Sequence, residues 1–326
     1  MNKILSEIRK NIALHADRTA LMDTQGSSLT YGELDLLARR IAARLIKLGV
    51  KPGSFVTVEL PRSIEYIAAQ LGVWYAGAAY APLSDEYPED RLAYIREDCS
   101  AAAVINEKFM RGIELEQPIS EAVACEESSP AVLIYTSGST GKPKGVLHDF
   151  LSVSEAVSRY SKLMDFEGDS VQTIGTALTF VASLLLTVAP LAAGITALLL
   201  PFDVMRDPVL LSDCIKNFGV THAFISPKML RMFECKGSRL KCVFVAGERV
   251  SNVYSDDYKI ICAYGQTETA GTVTAFVIDK PYENTPIGKA VDGVSAYILD
   301  EDGNETPEGE LCVAGHFASG YLADEG

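Results

Sequence analysis

Residues 134–145 read Ile-Tyr-Thr-Ser-Gly-Ser-Thr-Gly-Lys-Pro-Lys-Gly and continue an apolar run at 131–135 that predicts a short strand. Glycines let backbone N–H groups approach a phosphate closely, hydroxyl groups add donors, and lysines supply positive charge. This composition at the end of a strand predicts a phosphate-binding loop. The candidate phosphate-binding residues are Thr136, Ser137, Gly138, Ser139, Thr140, Gly141, Lys142 and Lys144.

Two other interpretations of this stretch are weaker. A P-loop requires Gly-x-x-x-x-Gly-Lys followed by Ser or Thr. Here Thr136 stands where the first glycine belongs, and Pro143 replaces the hydroxyl residue that binds Mg²⁺. A flexible linker is also disfavoured, because linkers rarely follow an apolar strand directly or carry Lys-Pro-Lys.

The composition of the 326-residue chain indicates a globular protein with a large core, since 48% of its residues are hydrophobic. The net charge of −14, from 29 Lys and Arg against 43 Asp and Glu, argues against a nucleic acid or an anionic membrane as partner. The seven cysteines form no Cys-x-x-Cys pair, and the N-terminus has no apolar signal region. These features predict reduced thiols and a cytoplasmic location.

Helical and strand patterns alternate along most of the chain. Thr30 and Glu33 form a predicted capping box at the start of a helix that Gly49 closes. Strands alternating with helices indicate an α/β fold with a largely parallel sheet covered on both faces. Predicted helices cover about 31–48, 64–75 and 89–98, and predicted strands cover 55–58, 171–174, 221–225, 242–246 and 260–263.

An uncharged, mostly apolar run at 177–200 is long enough to span a bilayer. Pro190 and Gly194 interrupt it, so we favour a buried helix at 182–191, a turn at Gly194 and a buried strand at 196–200. Both interpretations remain open at this stage.

A second chemical site is predicted at 263–269, Ala-Tyr-Gly-Gln-Thr-Glu-Thr, which follows the predicted strand 260–263. Ligands of α/β proteins bind beyond the carboxyl ends of strands. Tyr264 offers a flat face for a base, Thr267 can donate to a phosphate, and Glu268 can hold Mg²⁺. Taken alone, this stretch fits an ordinary turn equally well.

Together, the two stretches resemble those of the adenylate-forming enzymes: acyl-CoA synthetases, nonribosomal peptide synthetase adenylation domains and luciferases. Residues 29–34, Leu-Thr-Tyr-Gly-Glu-Leu, and 309–321, Gly-Glu-Leu through Gly-Tyr, are also similar to runs of that superfamily. Residues 76–83 and 87–92, the latter Tyr-Pro-Glu-Asp-Arg-Leu, resemble its peptide-synthetase branch.

The resemblance implies the fold of the large N-terminal domain of that superfamily, over residues 1–326. Two αβαβα-type layered subdomains with mostly parallel sheets are expected over 1–275. An incomplete, small β-rich subdomain is expected over 276–326, where 295–299 and 310–314 predict a hairpin. The superfamily's mobile C-terminal domain and its catalytic lysine are not in this sequence, so we expect a truncated form with weak or no activity.

The resemblance also implies the reaction: activation of a carboxylic acid by ATP with Mg²⁺, followed by transfer of the acyl group to coenzyme A or to the phosphopantetheine of a carrier protein. The implied catalytic residues are Thr267, Glu268 and Lys144, with Glu268 as the Mg²⁺ ligand. The implied adenine-binding residues are Gly247, Glu248, Arg249, Ala263, Tyr264 and Gly265. A non-catalytic nucleotide- or acyl-binding relative is the alternative function.

The predicted acyl pocket departs from the amino-acid-activating relatives. Those relatives carry Phe-Asp-x-Ser, whose Asp binds the α-ammonium of the substrate, and this chain has Val181 at that position. An ammonium buried without a partner is costly, so we expect an acid without an α-amino group. The predicted pocket residues are Phe180, Val181, Ala182, Leu185, Phe224, Phe244, Ala246, Gly271 and Thr272. His148 lies just after the first loop, either in the phosphate site or on the surface.

Overall fold

The structure is a computed structural model that describes residues 2–137 and 142–322. The helices of this part are α1 (Lys3–Leu14), α2 (Tyr31–Lys47), α3 (Ile64–Tyr75), α4 (Glu89–Asp98), α5 (Glu107–Met110), α6 (Phe150–Met164), α7 (Val181–Ala193), α8 (Pro208–Asn217) and α9 (Pro227–Leu230). The strands are β1 (Thr19–Asp23), β2 (Ser28–Thr30), β3 (Phe55–Val58), β4 (Ala79–Pro82), β5 (Ala103–Ile105), β6 (Pro130–Ser137), β7 (Pro143–Asp149), β8 (Val171–Ile174), β9 (Thr196–Leu199), β10 (His222–Phe224), β11 (Cys242–Val245), β12 (Lys259–Gln266), β13 (Gly271–Ile278), β14 (Lys289–Ala290), β15 (Ser295–Leu299), β16 (Glu310–Ala314) and β17 (Gly320–Tyr321).

A six-stranded sheet has the order β17-β7-β6-β4-β3-β5. Strands β3 to β6 run parallel to one another, whereas β7 is antiparallel to β6. The predicted phosphate-binding loop therefore joins two strands of a hairpin. In a P-loop a helix follows instead, so the topology agrees with the exclusion made from the sequence.

A nine-stranded sheet has the order β14-β13-β12-β11-β10-β8-β9-β1-β2. Its five central strands, β12, β11, β10, β8 and β9, are parallel, so their carboxyl ends share one edge of the sheet. Strands β13 and β14 extend it in antiparallel fashion. The expected α/β class with mostly parallel sheets is confirmed.

Helices lie between the two sheets and share one apolar core with both. Helix α3 contacts β3 and β4 of the smaller sheet and β1 of the larger one, and α6 contacts both β7 and β13. A single buried cluster includes Val56 and Ile134 from one sheet and Ile174 and Phe244 from the other. Burial of apolar side chains is the main favourable term in folding, so the two sheets stabilise each other through this shared core.

The apolar run at 177–200 forms a buried helix and a buried strand. Helix α7 ends at Gly194, which has the left-handed φ of 71° that glycine adopts readily, and β9 follows. Among the residues that the structure describes, no helix is long and apolar enough to cross a membrane. The helix–turn–strand interpretation is confirmed.

The C-terminal part joins several elements. The predicted hairpin is present as β15 and β16. Strand β13 runs across residues 275 and 276, where the sequence analysis divides the chain, and pairs along its length with β12. Strand β17 returns to the smaller sheet, where Gly320 and Tyr321 lie opposite Leu147 and Val146 of β7. The division at 275 stays a prediction.

Candidate functional site

The first predicted loop lies at the tip of the β6–β7 hairpin. Thr136 pairs with Lys144 and Ser137 with Pro143, so the first two candidate hydroxyls stand at the end of β6. Lys142 and Lys144 are exposed on the returning arm. The predicted residues Gly138, Ser139, Thr140 and Gly141 lie outside the described residues.

The second predicted loop is the tip of the β12–β13 hairpin. Its pairing shifts register between Tyr264 and Gly265, where the backbones approach so closely that a Cβ on Gly265 would lie 1.6 Å from the carbonyl oxygen of Gly271. The Thr269 hydroxyl accepts from the Gln266 amide at 3.0 Å and donates to the Gly271 carbonyl at 2.8 Å. These bonds fix the turn that carries Thr267 and Glu268.

The C-terminal segment contacts both hairpins. The Tyr321 hydroxyl donates to Oε1 of Glu268 at 2.8 Å, and Nζ of Lys144 lies 5.4 Å from the Tyr321 ring centroid. The Ala318 amide donates to the Glu268 carbonyl at 2.8 Å. The structure thus brings Lys144 and Glu268, both predicted to be catalytic, to the same side chain. Tyr321 had no predicted role, although the Gly-Tyr run that contains it was part of the resemblance.

Two cationic or titratable groups lie beneath the second turn. His148 is fully buried in β7, with Nδ1 3.0 Å from Oγ of Ser152. Burial lowers the pKa of His148 to about 4, against the effect of the Thr267 backbone, so the ring is neutral at pH 7. The surface interpretation of His148 is therefore wrong. Arg159 of α6 is also buried, and its Nη2 donates to the Thr269 carbonyl at 3.4 Å.

A cavity of about 890 Å³ follows the carboxyl edge of the nine-stranded sheet. Part of its lining comes from the ends of β12, β11, β10, β8 and β9, which at normal strand spacing cover about 19 Å. Such an edge is where open α/β sheets bind ligands. At one end the lining includes Thr136 and Ser137 of β6 and Thr267 of the second turn, and at the other it includes Phe202 and Met205, which follow β9.

Most predicted site residues line this one cavity. All nine predicted acyl-pocket residues do so, together with part of the phosphate and adenine sets: Thr136, Ser137, Gly247, Glu248, Ala263, Tyr264, Gly265 and Thr267. Lys142, Lys144, Arg249 and Glu268 are not among the lining residues. Arg249 is exposed next to Glu248. Strand β12 extends to Gln266, so Tyr264 and Gly265 belong to the strand rather than to the loop after it.

The structure also adds lining residues that the sequence analysis did not select. Beyond the predicted acyl pocket, apolar side chains continue the cavity past the end of β9 and along α8 and α9: Leu200, Phe202, Met205, Leu211, Ile225 and Met229. Tyr87 and Arg91 of the 87–92 motif line the cavity as well. The motif itself was visible in the sequence, but its distance of more than 40 residues from the phosphate loop gave no sign that they meet.

The sequence profile described as "AMP-binding enzyme" matches residues 8–322 of the chain. Among curated proteins, Bacitracin synthase 1 of Bacillus licheniformis is 32% identical over 327 residues, which cover 94% of this chain and 6% of that protein. The chain thus spans a small fraction of the length of that relative.

Two solved structures share the fold. The inhibitor-bound N-terminal domain of FACL13 from Mycobacterium tuberculosis superposes with a TM-score of 0.87 at 18% identity, covering 99% of this chain and 92% of that one. The Klebsiella oxytoca NpsA N-terminal subdomain, in complex with 3-hydroxyanthranilyl-AMSN, superposes with a TM-score of 0.84 at 22% identity, covering 98% and 89%.

Proposed function

This chain belongs to the AMP-binding enzyme family, and we propose that it activates a carboxylic acid with ATP to form an acyl-adenylate. The observation that carries the proposal is the single cavity. It is lined at one end by the hydroxyls of the first hairpin and by Tyr264 and Thr267 of the second, and elsewhere by an apolar pocket. The nucleotide and the acid need to lie end to end in such a site, because a carboxylate oxygen of the acid attacks the α-phosphorus of ATP.

In the proposed reaction a carboxylate oxygen attacks the α-phosphorus of ATP, and pyrophosphate leaves. The loop at 136–144 binds the β- and γ-phosphates, and Thr267 donates to the α-phosphate. Tyr264, with Gly247, Glu248 and Arg249 near it, holds the adenine. These groups act by positioning and by neutralising charge that develops on the phosphoryl oxygens.

The residues present fit a bound Mg²⁺. Glu268 lies at the tip of the turn with its Oε1 fixed by the Tyr321 hydroxyl. In the described part of the chain, no group of three or more His, Cys, Asp or Glu could hold a metal ion. Mg²⁺ is usually bound by one or two carboxylates together with substrate phosphates and water. Glu268 is thus the proposed protein ligand, and the ion would neutralise phosphate charge.

The proposed acid has no α-amino group. Val181 starts α7 on the cavity wall, and its neighbours in the pocket include Phe180, Leu185 and Phe244. A fatty, aryl or branched-chain acid fits these apolar walls. The acyl group then passes to a thiol, because attack of a thiol sulfur on the acyl carbon releases AMP. Coenzyme A and a carrier-protein phosphopantetheine are both proposed acceptors, and the resemblance of residues 76–83 and 87–92 to the peptide-synthetase branch supports the second.

The test is ATP–pyrophosphate exchange with pairs of acids that differ only in an α-amino group. The assay uses the product of the whole reading frame, and calorimetry measures ATP binding in parallel. We expect exchange with the acids that lack the amino group. Exchange only with the amino acids would overturn the acid class but keep the reaction. ATP binding without exchange for any acid would favour a non-catalytic nucleotide- or acyl-binding protein.

A further inference from the structure

Arg91 of the 87–92 motif lines the cavity, and the proposed reaction gives it no role. Arg91 lies in the first turn of α4, and its guanidinium carbon is 4.0 Å from the centroid of the Tyr87 ring. Both side chains line the cavity. Stacking on an aromatic face holds a guanidinium in a fixed plane, which prepares its N–H fork for a flat or tetrahedral anion.

The packing of α4 places Arg91 beside the first hairpin. Tyr94, one helical turn further on, donates its hydroxyl to the carbonyl of Pro143 at 3.3 Å, and Pro143 pairs with Ser137 across the hairpin. Tyr87 and Tyr135 pack against the same small apolar cluster beneath α4. The side chain of Arg91 therefore lines the end of the cavity that holds Thr136 and Ser137.

Arg91 has no acidic partner among the residues that the structure describes. Its Nε is buried without a hydrogen-bond partner there. Arg96, on the same helix, is by contrast paired with both Glu59 and Glu89. Leaving a half-buried cation without a counter-charge costs free energy, and a bound anion removes that cost.

Neither of the other two charged lining residues supplies a positive charge at this end of the cavity. Arg206 lies after β9, and Glu248 follows β11. Lys142 and Lys144, the cations predicted from the sequence, are not among the lining residues. Arg91 is thus the cation that the described structure places on the cavity wall next to the hydroxyls of β6.

We propose that Arg91 binds the β- and γ-phosphates of ATP, the group that leaves as pyrophosphate. This inference rests on the proposed function of the site. A guanidinium can donate two parallel hydrogen bonds to phosphate oxygens and keeps its charge at any physiological pH. Arg91 contacts only the β- and γ-phosphates, which AMP lacks, so it strengthens the binding of ATP and not that of AMP.

The experiment is calorimetry of ATP and AMP binding to the full chain and to three variants. Arg91→Gln removes the charge, and Arg91→Lys keeps the charge but loses the fork. Arg206→Gln is the matched control, because Arg206 lines the same cavity and stacks on Phe202 at 5.6 Å, but at the opposite end. We expect Arg91→Gln to weaken ATP binding about tenfold and AMP binding less than twofold. The ATP affinity of Arg91→Lys should lie between those of Arg91→Gln and the parent chain. Arg206→Gln should keep the ATP affinity of the parent chain.

Equal weakening of ATP and AMP by Arg91→Gln would contradict the inference, since Arg91 would then act on cavity shape or on the nucleoside. Unchanged ATP affinity in Arg91→Gln would contradict it too, while leaving the proposed function intact. A parent chain that binds neither nucleotide would overturn the proposed function and Arg91 with it. Thermal unfolding without ligand, compared across the variants, separates misfolding from a lost phosphate contact.

Discussion

Val181 is the residue on which the proposed choice of acid depends most directly. It is the first residue of α7, follows Phe180 at the helix start, and lines the cavity. A carboxylate at this position would receive the positive end of the helix dipole and would face the pocket. A valine offers neither charge nor hydrogen bond, so an ammonium brought here would lose its hydration without compensation.

The change Val181→Asp should therefore reverse the proposed preference for acids without an α-amino group. We expect kcat/KM in the exchange assay to fall about tenfold for an acid without an amino group and to rise about tenfold for its α-amino counterpart, as expected for gaining or losing a charge-assisted hydrogen bond. Val181→Asn is the control, because asparagine has nearly the shape of aspartate but carries no charge. A similar shift in Val181→Asn would show that polarity, not the carboxylate, decides the preference.

The buried histidines show where a sequence alone is insufficient at the level of single residues. His222 is also buried, with Nε2 donating to the Met164 carbonyl at 3.0 Å, and burial lowers its pKa to about 4. Nothing in the residues next to His148 or His222 separates a satisfied core histidine from a site histidine. Their burial comes from distant parts of the chain, such as the Met164 carbonyl that bonds His222.

At the level of elements, the two hairpins carry the candidate site, and the turn of the β12–β13 hairpin depends on close backbone approach. Gly265 is the tightest point, since any Cβ there meets the Gly271 carbonyl. The contact is with backbone, so no side-chain rotation can relieve it. The strands must separate, and Thr267 and Glu268 move with them.

Gly265→Ala should lower the free energy of unfolding by about 2 kcal/mol, as for an overpacked site, and should weaken ATP binding at least tenfold. Gly168→Ala is the matched control, because a Cβ on Gly168 meets no atom within 4 Å and its backbone is not left-handed. We expect the control to change stability by less than about 0.5 kcal/mol. Urea unfolding and calorimetry measure the two effects. Unchanged ATP affinity in Gly265→Ala would show that the hairpin tip does not bind the nucleotide.

Elements with local signals are predicted well from the sequence. The capping box of α2 is confirmed, with Thr30 and Glu33 bonding reciprocally, and the predicted strands 55–58 and 171–174 match β3 and β8. Strands β7 and β13 were not predicted. Each is a strand because it pairs antiparallel with the strand before it, and that pairing is not visible in its own residues. Strand β7 begins at Pro143, within the Lys-Pro-Lys run that suggested a phosphate-binding loop, so no strand was predicted there.

At the level of the whole molecule, the site exists only where the two sheets meet. Thr136 and Ser137, the predicted phosphate-binding residues on the cavity wall, come from the smaller sheet, and most of the remaining wall comes from the larger one. Tyr321 contacts both hairpins. The motifs predict which residues bind, but the sequence does not show that Arg91 of α4 lines the same cavity or that β17 returns to β7. A strand of two residues has no periodicity to detect.

Arg62 joins the two sheets from below the cavity. It lies between β3 and α3 of the smaller sheet, and its guanidinium donates to the carbonyls of Ile174, Thr176 and Leu200, at the ends of β8 and β9, over 2.6 to 2.7 Å. Burial lowers the pKa of Arg62 to about 10, which still leaves it charged at pH 7. It therefore fixes the ends of β8 and β9, where Thr176 and Leu200 line the cavity.

Arg62→Met should lower the free energy of unfolding by about 3 kcal/mol, because three carbonyls lose a charged donor and keep only part of their solvation. Arg206→Met is the matched control. Both guanidiniums contact the Phe202 ring, at 5.3 and 5.6 Å, but Arg206 is exposed and bonds none of these carbonyls. Urea unfolding followed by tyrosine and tryptophan fluorescence measures the difference. Equal losses in the two variants would assign the effect to stacking on Phe202, and the hydrogen bonds between the sheets would then contribute nothing measurable to holding them together.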